Sequence, residues 1–336
     1  MAGRDVVIPF DYERATDAET AVAAVTGNRR AAYLAGGTNL VDHMKLGIAA
    51  PEVLVDITAL PLGDVEELPD GGLRLGAGAL NSEVAAHPLV RRRYPVLSQA
   101  LLTGASGQLR NLATVGGNLL QRTRCVYFQD VTTPCNKRSP GEGCSALDGY
   151  TRYHAVLGAS PHCVAVHPSD MAVALAALDA VVRVRTADGE RAIPVAELHR
   201  LPGEHPERDT VLEHGELITA VDLPPLRFAR RSRYAKARDR ASFAFALVSV
   251  AAVLDISGGV VRDVRVAFGG LAHKPWRATA AERALRGARA TSEAFHAAAE
   301  AELADARPLR DNAFKITLAR SMFVSVLREL AREESP

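Results

Sequence analysis

The chain is poor in several features, and each shortage narrows what it can be. Its 336 residues include only four cysteines, one tryptophan and five lysines, and the remaining cations are arginines spread along the whole length. The 40 basic and 39 acidic residues leave a net charge of +1, so there is no electrostatic footprint for nucleic acid as the main partner. No run reaches the ~18 apolar residues that a membrane-crossing helix needs. Met1-Ala2-Gly3-Arg4-Asp5 is followed by no apolar core of a signal peptide, so the expected location is the cytoplasm. A subunit exported folded on a signal-bearing partner would read the same way. Neither GxGxxG nor a Walker A sequence occurs, which argues against a Rossmann or P-loop site. No close cysteine pair of the structural-zinc kind is present, and nothing repeats at a solenoid period.

What remains is ordinary globular material. Hydrophobic residues make up 48% and charged residues 24%, enough for a buried core and, by length, for roughly two domains. Near the start, Asp17 caps an expected helix that runs to Thr26. Arg30–Ala35 reads as a strand, Gly36-Gly37-Thr38-Asn39 as a turn, Leu40–Leu46 as a short helix and Val53–Ile57 as a strand. Strand character is expected at Leu73 onward and again over Leu109–Asn118, with helices at Ser82–His87 and Pro95–Leu102 between them. Met171–Leu178 reads as a helix, Val181–Arg185 and Arg191–Val195 as a hairpin around Asp188-Gly189, and Ile218–Leu223 as a strand ended by Pro224-Pro225. The last hundred residues read as strands over Phe243–Ile256 and Val260–Phe268, then helices at Thr279–Leu285, Ser292–Ala304 and Ala313–Leu330. The expected division is 1–59, 60–225 and 226–336.

Two loops stand out. Ala35-Gly36-Gly37-Thr38-Asn39-Leu40 and Ala113-Thr114-Val115-Gly116-Gly117-Asn118 repeat one chemistry: two glycines flanked by threonine and asparagine. Glycines let backbone N–H groups converge on a phosphate, and a following helix adds a favourable field. One such loop is an ordinary turn, whereas two could grip the pyrophosphate of a dinucleotide. Asp170 stands at a helix start, either as a carboxylate favoured by the helix field or as an acceptor for a ligand.

All four cysteines, Cys125, Cys135, Cys144 and Cys163, fall within residues 121–168. That segment is rich in Gly and Pro and weak in apolar periodicity, so something besides hydrophobic burial must order it. Four thiolates make a full ligand set for a cubane iron–sulfur cluster. Disulfides, zinc and unrelated thiols stay open as readings of the residues alone. His154, His162 and His167 read as loop histidines with local hydrogen bonds. Lys236, Arg238 and Arg240 read as a solvated strand edge or as cations beside a ligand, and Trp276 as packing.

In order, Ala-Gly-Gly-Thr-Asn-Leu, Thr-Val-Gly-Gly-Asn-Leu, His-Pro-Ser-Asp-Met and Tyr-x-Lys resemble the FAD-binding (medium) subunits of the molybdenum hydroxylases: xanthine dehydrogenase, aldehyde oxidoreductase and carbon monoxide dehydrogenase. The resemblance runs over essentially the whole chain. It implies an α+β protein: the two-subdomain FAD-binding fold of the vanillyl-alcohol oxidase (PCMH) type, followed by an α+β domain like the CO dehydrogenase flavoprotein C-terminal domain. Asn118 and Asp170 are 52 positions apart, where typical members need about a dozen. This insert resembles that of the FAD subunit of bacterial three-subunit aldehyde oxidoreductases of the PaoABC type, in which four cysteines bind an additional 4Fe-4S cluster. A related cluster-bearing insert occurs in the 4-hydroxybenzoyl-CoA reductase flavoprotein, which leaves the substrate class open.

By this resemblance Tyr33, Leu34, Ala35, Gly36, Gly37, Thr38, Asn39 and Leu40, with Thr114, Val115, Gly116, Gly117 and Asn118, would wrap the FAD pyrophosphate and ribityl chain. Gly104 and Asp170 would also contact the cofactor, Ile218 would pack near the flavin, and Lys236 would lie at its edge. The chain would pass electrons between partners and contribute no catalytic residue. Its partners would be a molybdenum-cofactor large subunit, a small 2Fe-2S subunit and an external electron acceptor. The alternatives are the FAD subunit of a xanthine dehydrogenase, CO dehydrogenase or 4-hydroxybenzoyl-CoA reductase-like enzyme, a self-contained flavin oxidase, and an iron–sulfur scaffold or sensor without flavin.

Overall fold

A computed structural model describes residues 7–332. The first unit is a parallel three-stranded sheet built from β1 (Asp11–Arg14), α1 (Ala18–Gly27), β2 (Ala31–Leu34), α2 (Leu40–Lys45) and β3 (Val53–Asp56), with strand order β1-β3-β2. Parallel neighbours cannot be joined by a tight turn, so helices α1 and α2 serve as the crossovers. Helix α1 starts where the sequence places it. Thr20 donates its backbone N–H to Asp17 Oδ1 at 2.7 Å, and the Thr20 hydroxyl faces the Asp17 backbone N–H, a reciprocal capping box. Ala21, Val22 and Val25 bury one face of α1 against Ala31 and Val55. Strand β1 was not among the sequence expectations; its four residues are all exposed and show no alternation to read.

The second unit is an antiparallel five-stranded sheet. It comprises β4 (Val65–Glu67), β5 (Leu73–Gly76), β6 (Val181–Thr186), β7 (Gly189–Pro194) and β8 (Leu217–Leu223), in the order β4-β5-β8-β6-β7. The long stretch between β5 and β6 carries helices α3 (Asn81–Ala86), α4 (Pro88–Arg93), α5 (Pro95–Thr103), α6 (Gly107–Arg110), α7 (Val115–Leu119), α8 (Val126–Gln129) and α9 (Asp170–Ala177). The strand expected over 109–118 is replaced by α6 and α7. Ser106 Oγ accepts from Leu109 N and Thr114 Oγ1 accepts from Gly117 N, so two side-chain caps turn an apolar run into helical turns. Its only ladder contact is the single bridge Leu80–Thr114.

After α10 (Val195–Leu198) and β8, Pro224-Pro225 leads to a short 3-10 turn. The third unit then follows as β9 (Ser232–Ala237), β10 (Val248–Ser257), β11 (Val260–Gly269), β12 (Trp276–Arg277), α11 (Thr279–Leu285), α12 (Ser292–Leu303) and α13 (Phe314–Arg332). Residues 243–247, expected as strand, form an irregular loop in which Phe243 takes a left-handed φ of 49°. Strand β10 explains why the sequence there is a continuous apolar run. Ala251 and Val253 face a core shared with α9, whereas Val250, Ala252 and Leu254 face one shared with α12 and α13. A strand buried on both faces loses its alternation. Among the described residues no helix is long and apolar enough to cross a membrane.

Candidate functional site

The two glycine loops meet. A Cβ on Gly36 would sit 1.8 Å from the Leu112 carbonyl oxygen, and Gly37 adopts φ 69°, which suits glycine. Between them lies a cavity of about 510 Å³ lined by Tyr33, Ala35, Gly36, Gly37, Thr38, Asn39 and Leu40, by Thr114, Gly116 and Gly117, and by Ile218. The Tyr33 hydroxyl donates to the Gly215 carbonyl at 2.6 Å, which fixes its ring at the rim. Leu34 and Val115 do not line this cavity: Leu34, at the end of β2, turns its side chain toward Gly37, and Val115 is fully buried in the central core.

Thr38, Asn39 and Gly117 are shared with a second cavity of about 400 Å³, which contains Gly104, Asn118, Asp170 and Lys236. Here the start of α9 is well defined. Ser169 accepts from Ala172 N at 2.9 Å and donates to Asn118 Oδ1 at 2.6 Å, tying the second glycine loop to the helix. Each oxygen of the Asp170 carboxylate has one protein donor: Tyr234 donates to Oδ1 at 2.5 Å and Lys236 Nζ donates to Oδ2 at 2.7 Å. The Lys236 side chain is 2% exposed, so the carboxylate is what makes its buried charge tolerable. Lys236 sits inside β9, and period 2 puts Tyr234 on the same face. Burial, together with the neighbouring Asp170 carboxylate, raises the Tyr234 phenol well above its ordinary value, keeping it a proton donor. Tyr234 was missed as a site residue, although the Tyr-x-Lys pattern carried it. Gly104 lies close to this pair: a Cβ on it would be 3.3 Å from Asp170 Oδ2, a tight contact.

A third, mainly apolar cavity of about 500 Å³ shares Arg124, Pro168, Asp170 and residues 243–245 with the second, and it reaches Cys125 and His154. Beyond Cys125 a small cavity is lined by all four cysteines, together with Thr123, Phe128, Lys137 and Ala165. The topology brings the thiols together: Cys135 and Cys144 pair across an isolated antiparallel bridge, and Cys163 lies in a second one with Ser160. None forms a disulfide. Among the described residues no group of three or more His, Cys, Asp or Glu side chains is set around a single metal ion. Burial pushes the Cys125 thiol up to about 12 and Cys163 up to about 11, while backbone N–H groups of Phe128 and Tyr127 at Cys125, and of Ala165 at Cys163, work the other way. Such N–H groups favour a thiolate. No carboxylate lines the cavity.

The cysteine segment is ordered chiefly by polar side chains. Arg138 donates to the carbonyls of Tyr127, Phe128 and Asp130 at 3.0, 2.9 and 3.1 Å, and also to that of Thr133. Asn136 accepts from Gly143 N at 2.8 Å and donates to His162 O at 3.1 Å. Lys315, from α13, donates to His154 O at 2.9 Å and Gly270 O at 2.7 Å. Apolar burial contributes more than the sequence suggests, since Phe128 is buried and Val156 and Leu157 join the core of the third unit. Of the three histidines, His162 is exposed, His167 packs against His199 with centroids 4.1 Å apart and the rings tilted by 49°, and His154 places Nε2 3.2 Å from Cys125 Sγ. Trp276 packs against the third core and donates to Glu302 Oε1 at 2.8 Å.

Residues 8–226 match the FAD binding domain in molybdopterin dehydrogenase, and residues 232–330 match the CO dehydrogenase flavoprotein C-terminal domain. The chain belongs to the FAD-binding medium subunits of the molybdenum hydroxylase family. The flavin subunit is 52% identical to the aldehyde oxidoreductase FAD-binding subunit PaoB of Escherichia coli (strain K12), over 95% of this chain and 98% of that one. It is 26% identical to the glyceraldehyde dehydrogenase medium chain of Sulfolobus acidocaldarius, over 83% and 81% of the two chains. It superposes on a chain of carbon monoxide dehydrogenase from Hydrogenophaga pseudoflava with a TM-score of 0.75 and 26% identity, covering 96% and 97%. The flavin subunit is thus an α+β oxidoreductase subunit with an FAD-binding domain.

Proposed function

We propose that this flavin subunit carries FAD and a 4Fe-4S cluster and relays electrons within a molybdenum-dependent aldehyde oxidoreductase. The observation that carries the reading is that neighbouring cavities share walls. The glycine-loop cavity and the Asp170–Lys236 cavity have Thr38, Asn39 and Gly117 in common, the next shares Asp170 and Arg124, and Cys125 stands between that one and the space lined by the four thiols. A residue set of four cysteines, with N–H groups aimed at two of the sulfurs and no carboxylate, suits an iron–sulfur cluster. The identity to an aldehyde oxidoreductase subunit supports the aldehyde assignment over the other members of the family.

FAD, when bound, accepts two electrons and can release them singly or together. The chain's own residues then have defined tasks. The converging glycine backbones and Thr38, Asn39, Thr114 and Asn118 hold the phosphates and the chain that joins them to the flavin. Lys236 presents a buried positive charge at the cavity wall, and Asp170 with Tyr234 fixes its position. Cys125, Cys135, Cys144 and Cys163 ligate the cluster, and the polar clamps of the insert keep their spacing. The chain does not bind the aldehyde. A large subunit with the molybdenum cofactor hydroxylates it, a small subunit with 2Fe-2S clusters delivers electrons, and an external acceptor removes them.

The test is metal and flavin content of anaerobically purified protein. About four irons and one FAD per chain, with a broad absorbance near 400 nm, are expected. Cys135→Ser should lose iron while keeping FAD, because the glycine loops are a separate structure. FAD without iron in folded, unbleached protein would remove the cluster, and a fully iron-loaded Cys135→Ser protein would remove the ligand assignment.

A further inference from the structure

Between the flavin cavity and the cysteine cavity lies a charged triad that neither site accounts for. Arg122 lines the glycine-loop cavity, and its backbone N–H donates to Asn39 Oδ1 at 3.0 Å. Its guanidinium rests over the Phe128 ring at 4.7 Å, and Nε donates to Asp209 Oδ2 at 2.5 Å. The other oxygen of the same carboxylate, Oδ1, accepts from Lys137 Nζ at 2.5 Å. Lys137 lines the cysteine cavity with a side chain 1% exposed, and its remaining contact is the Pro206 carbonyl at 2.6 Å. One carboxylate is therefore shared by two cations, each on the wall of a different cavity, and the triad keeps one net positive charge. Asp209 lies far along the chain, just before β8, where no motif marks it.

We propose that Asp209 is a shared counter-ion that couples the flavin cavity to the cysteine cavity, holding down the reduction potentials of both through Arg122 and Lys137. This deepens the function proposed above and rests on it. The reason is Coulombic. Each electron added in either cavity adds a negative charge, which a nearby cation favours and a nearby carboxylate opposes; partial burial keeps the effect from being screened away. Asp209 and Lys137 are positioning residues, since neither is a ligand. The Asp209 carboxylate stays charged: burial opposes the charge, but the Arg122 guanidinium and the Lys137 ammonium outweigh it and hold the carboxyl well below the usual range.

The experiment is an anaerobic dithionite titration of the assembled complex, reading the flavin by absorbance and the cluster by electron paramagnetic resonance. Asp209→Asn keeps the shape and removes the charge. It should make both centres easier to reduce, by about tenfold in the equilibrium constant, which is about 59 mV for a one-electron couple. Lys137→Gln should shift the cluster the opposite way and leave the flavin almost unmoved, and Lys137→Arg should restore the cluster value. If Asp209→Asn fails to load, Arg122→Gln joins the Lys137 pair: it should make the flavin harder to reduce, and a flavin potential that does not move there overturns the coupling. Fully loaded Asp209→Asn protein in which neither potential moves, or only one does, overturns the coupling. Wild-type protein that holds FAD but no iron brings down the cluster assignment, and the coupling with it, before any variant is compared.

Discussion

The glycine-loop cradle and the cysteine segment border the same run of cavities, yet they keep their shapes by opposite means. The cradle is a close approach of backbones: Gly36 against the Leu112 carbonyl, and Gly116 with its amide on the Ala77 carbonyl at 2.8 Å. It needs small residues, and the sheets on either side hold it. The cysteine segment has no sheet of its own. It is held by long side chains that satisfy carbonyls, such as Arg138, Asn136, Lys137 and Lys315, and by a few apolar anchors. A region built by exclusion should tolerate no added atoms. A region built by clamps should fail one clamp at a time.

The sharpest way to break this comparison is to add atoms to the cradle. Gly36→Val places two further methyls where one carbon already collides with backbone, so the loops must part. FAD per chain should fall to a small fraction of wild type and the thermal midpoint should drop. A variant with full flavin and an unchanged melt would show that the loops do not need this contact. The corresponding change in the other region is Arg138→Ala, which strips the carbonyls of Tyr127, Phe128, Asp130 and Thr133 of a charged donor. A loss of about 2–3 kcal/mol is expected. Hydrogen exchange should rise over 125–147 and not over the glycine loops. Arg138→Lys should recover only part, since an ammonium cannot fork to four acceptors.

Acid sharpens the comparison next. His273 is 5% exposed and donates to Arg200 O, and burial, reinforced by Lys137, lowers it from 6.5 to about 4. His154 is lowered to about 4 in the same way, by burial and then by Lys315. Between these values the unfolded chain binds more protons than the folded one, so stability is lost as pH falls from about 6.5 to about 4. Each fully buried imidazole contributes on the order of 3 kcal/mol across that window. Urea unfolding at stepped pH tests this, and His273→Gln should flatten the slope. The smallest effect belongs far from both regions. Asp17→Ala removes the cap of α1 and should cost about 1 kcal/mol with cofactor content unchanged. A larger loss would mean that the first sheet supports the cradle more directly than its packing suggests.

Much of the architecture is legible from local rules. The Asp17 cap, the hairpin at Asp188-Gly189 and the amphipathic terminal helices are each decided by residues a few positions apart. The misreadings occur where distant contacts decide. Leu109–Asn118 has strand-like content but lies beside no strand that could pair with it, so Ser106 and Thr114 curl it into helical turns. Residues 243–247 are apolar enough for a strand yet stop short of the β9–β10 ladder, where pairing begins only at Val248.

The sequence by itself determined which residue types are present: two double-glycine loops with threonine and asparagine, four clustered cysteines, and a Tyr-x-Lys pair placed on one strand face by period 2. Those are properties of residue type and short spacing, and a linear reading captures them. Only the tertiary structure decided who meets whom. Asp170 receives Tyr234 and Lys236 from 64 and 66 residues away, Lys137 reaches Asp209 across 72, and cavities with common walls lie between the glycine loops and the thiols. The physical reason is that a buried charge must find a partner wherever packing has placed one, and that placement depends on the register and order of sheets, which no single segment encodes.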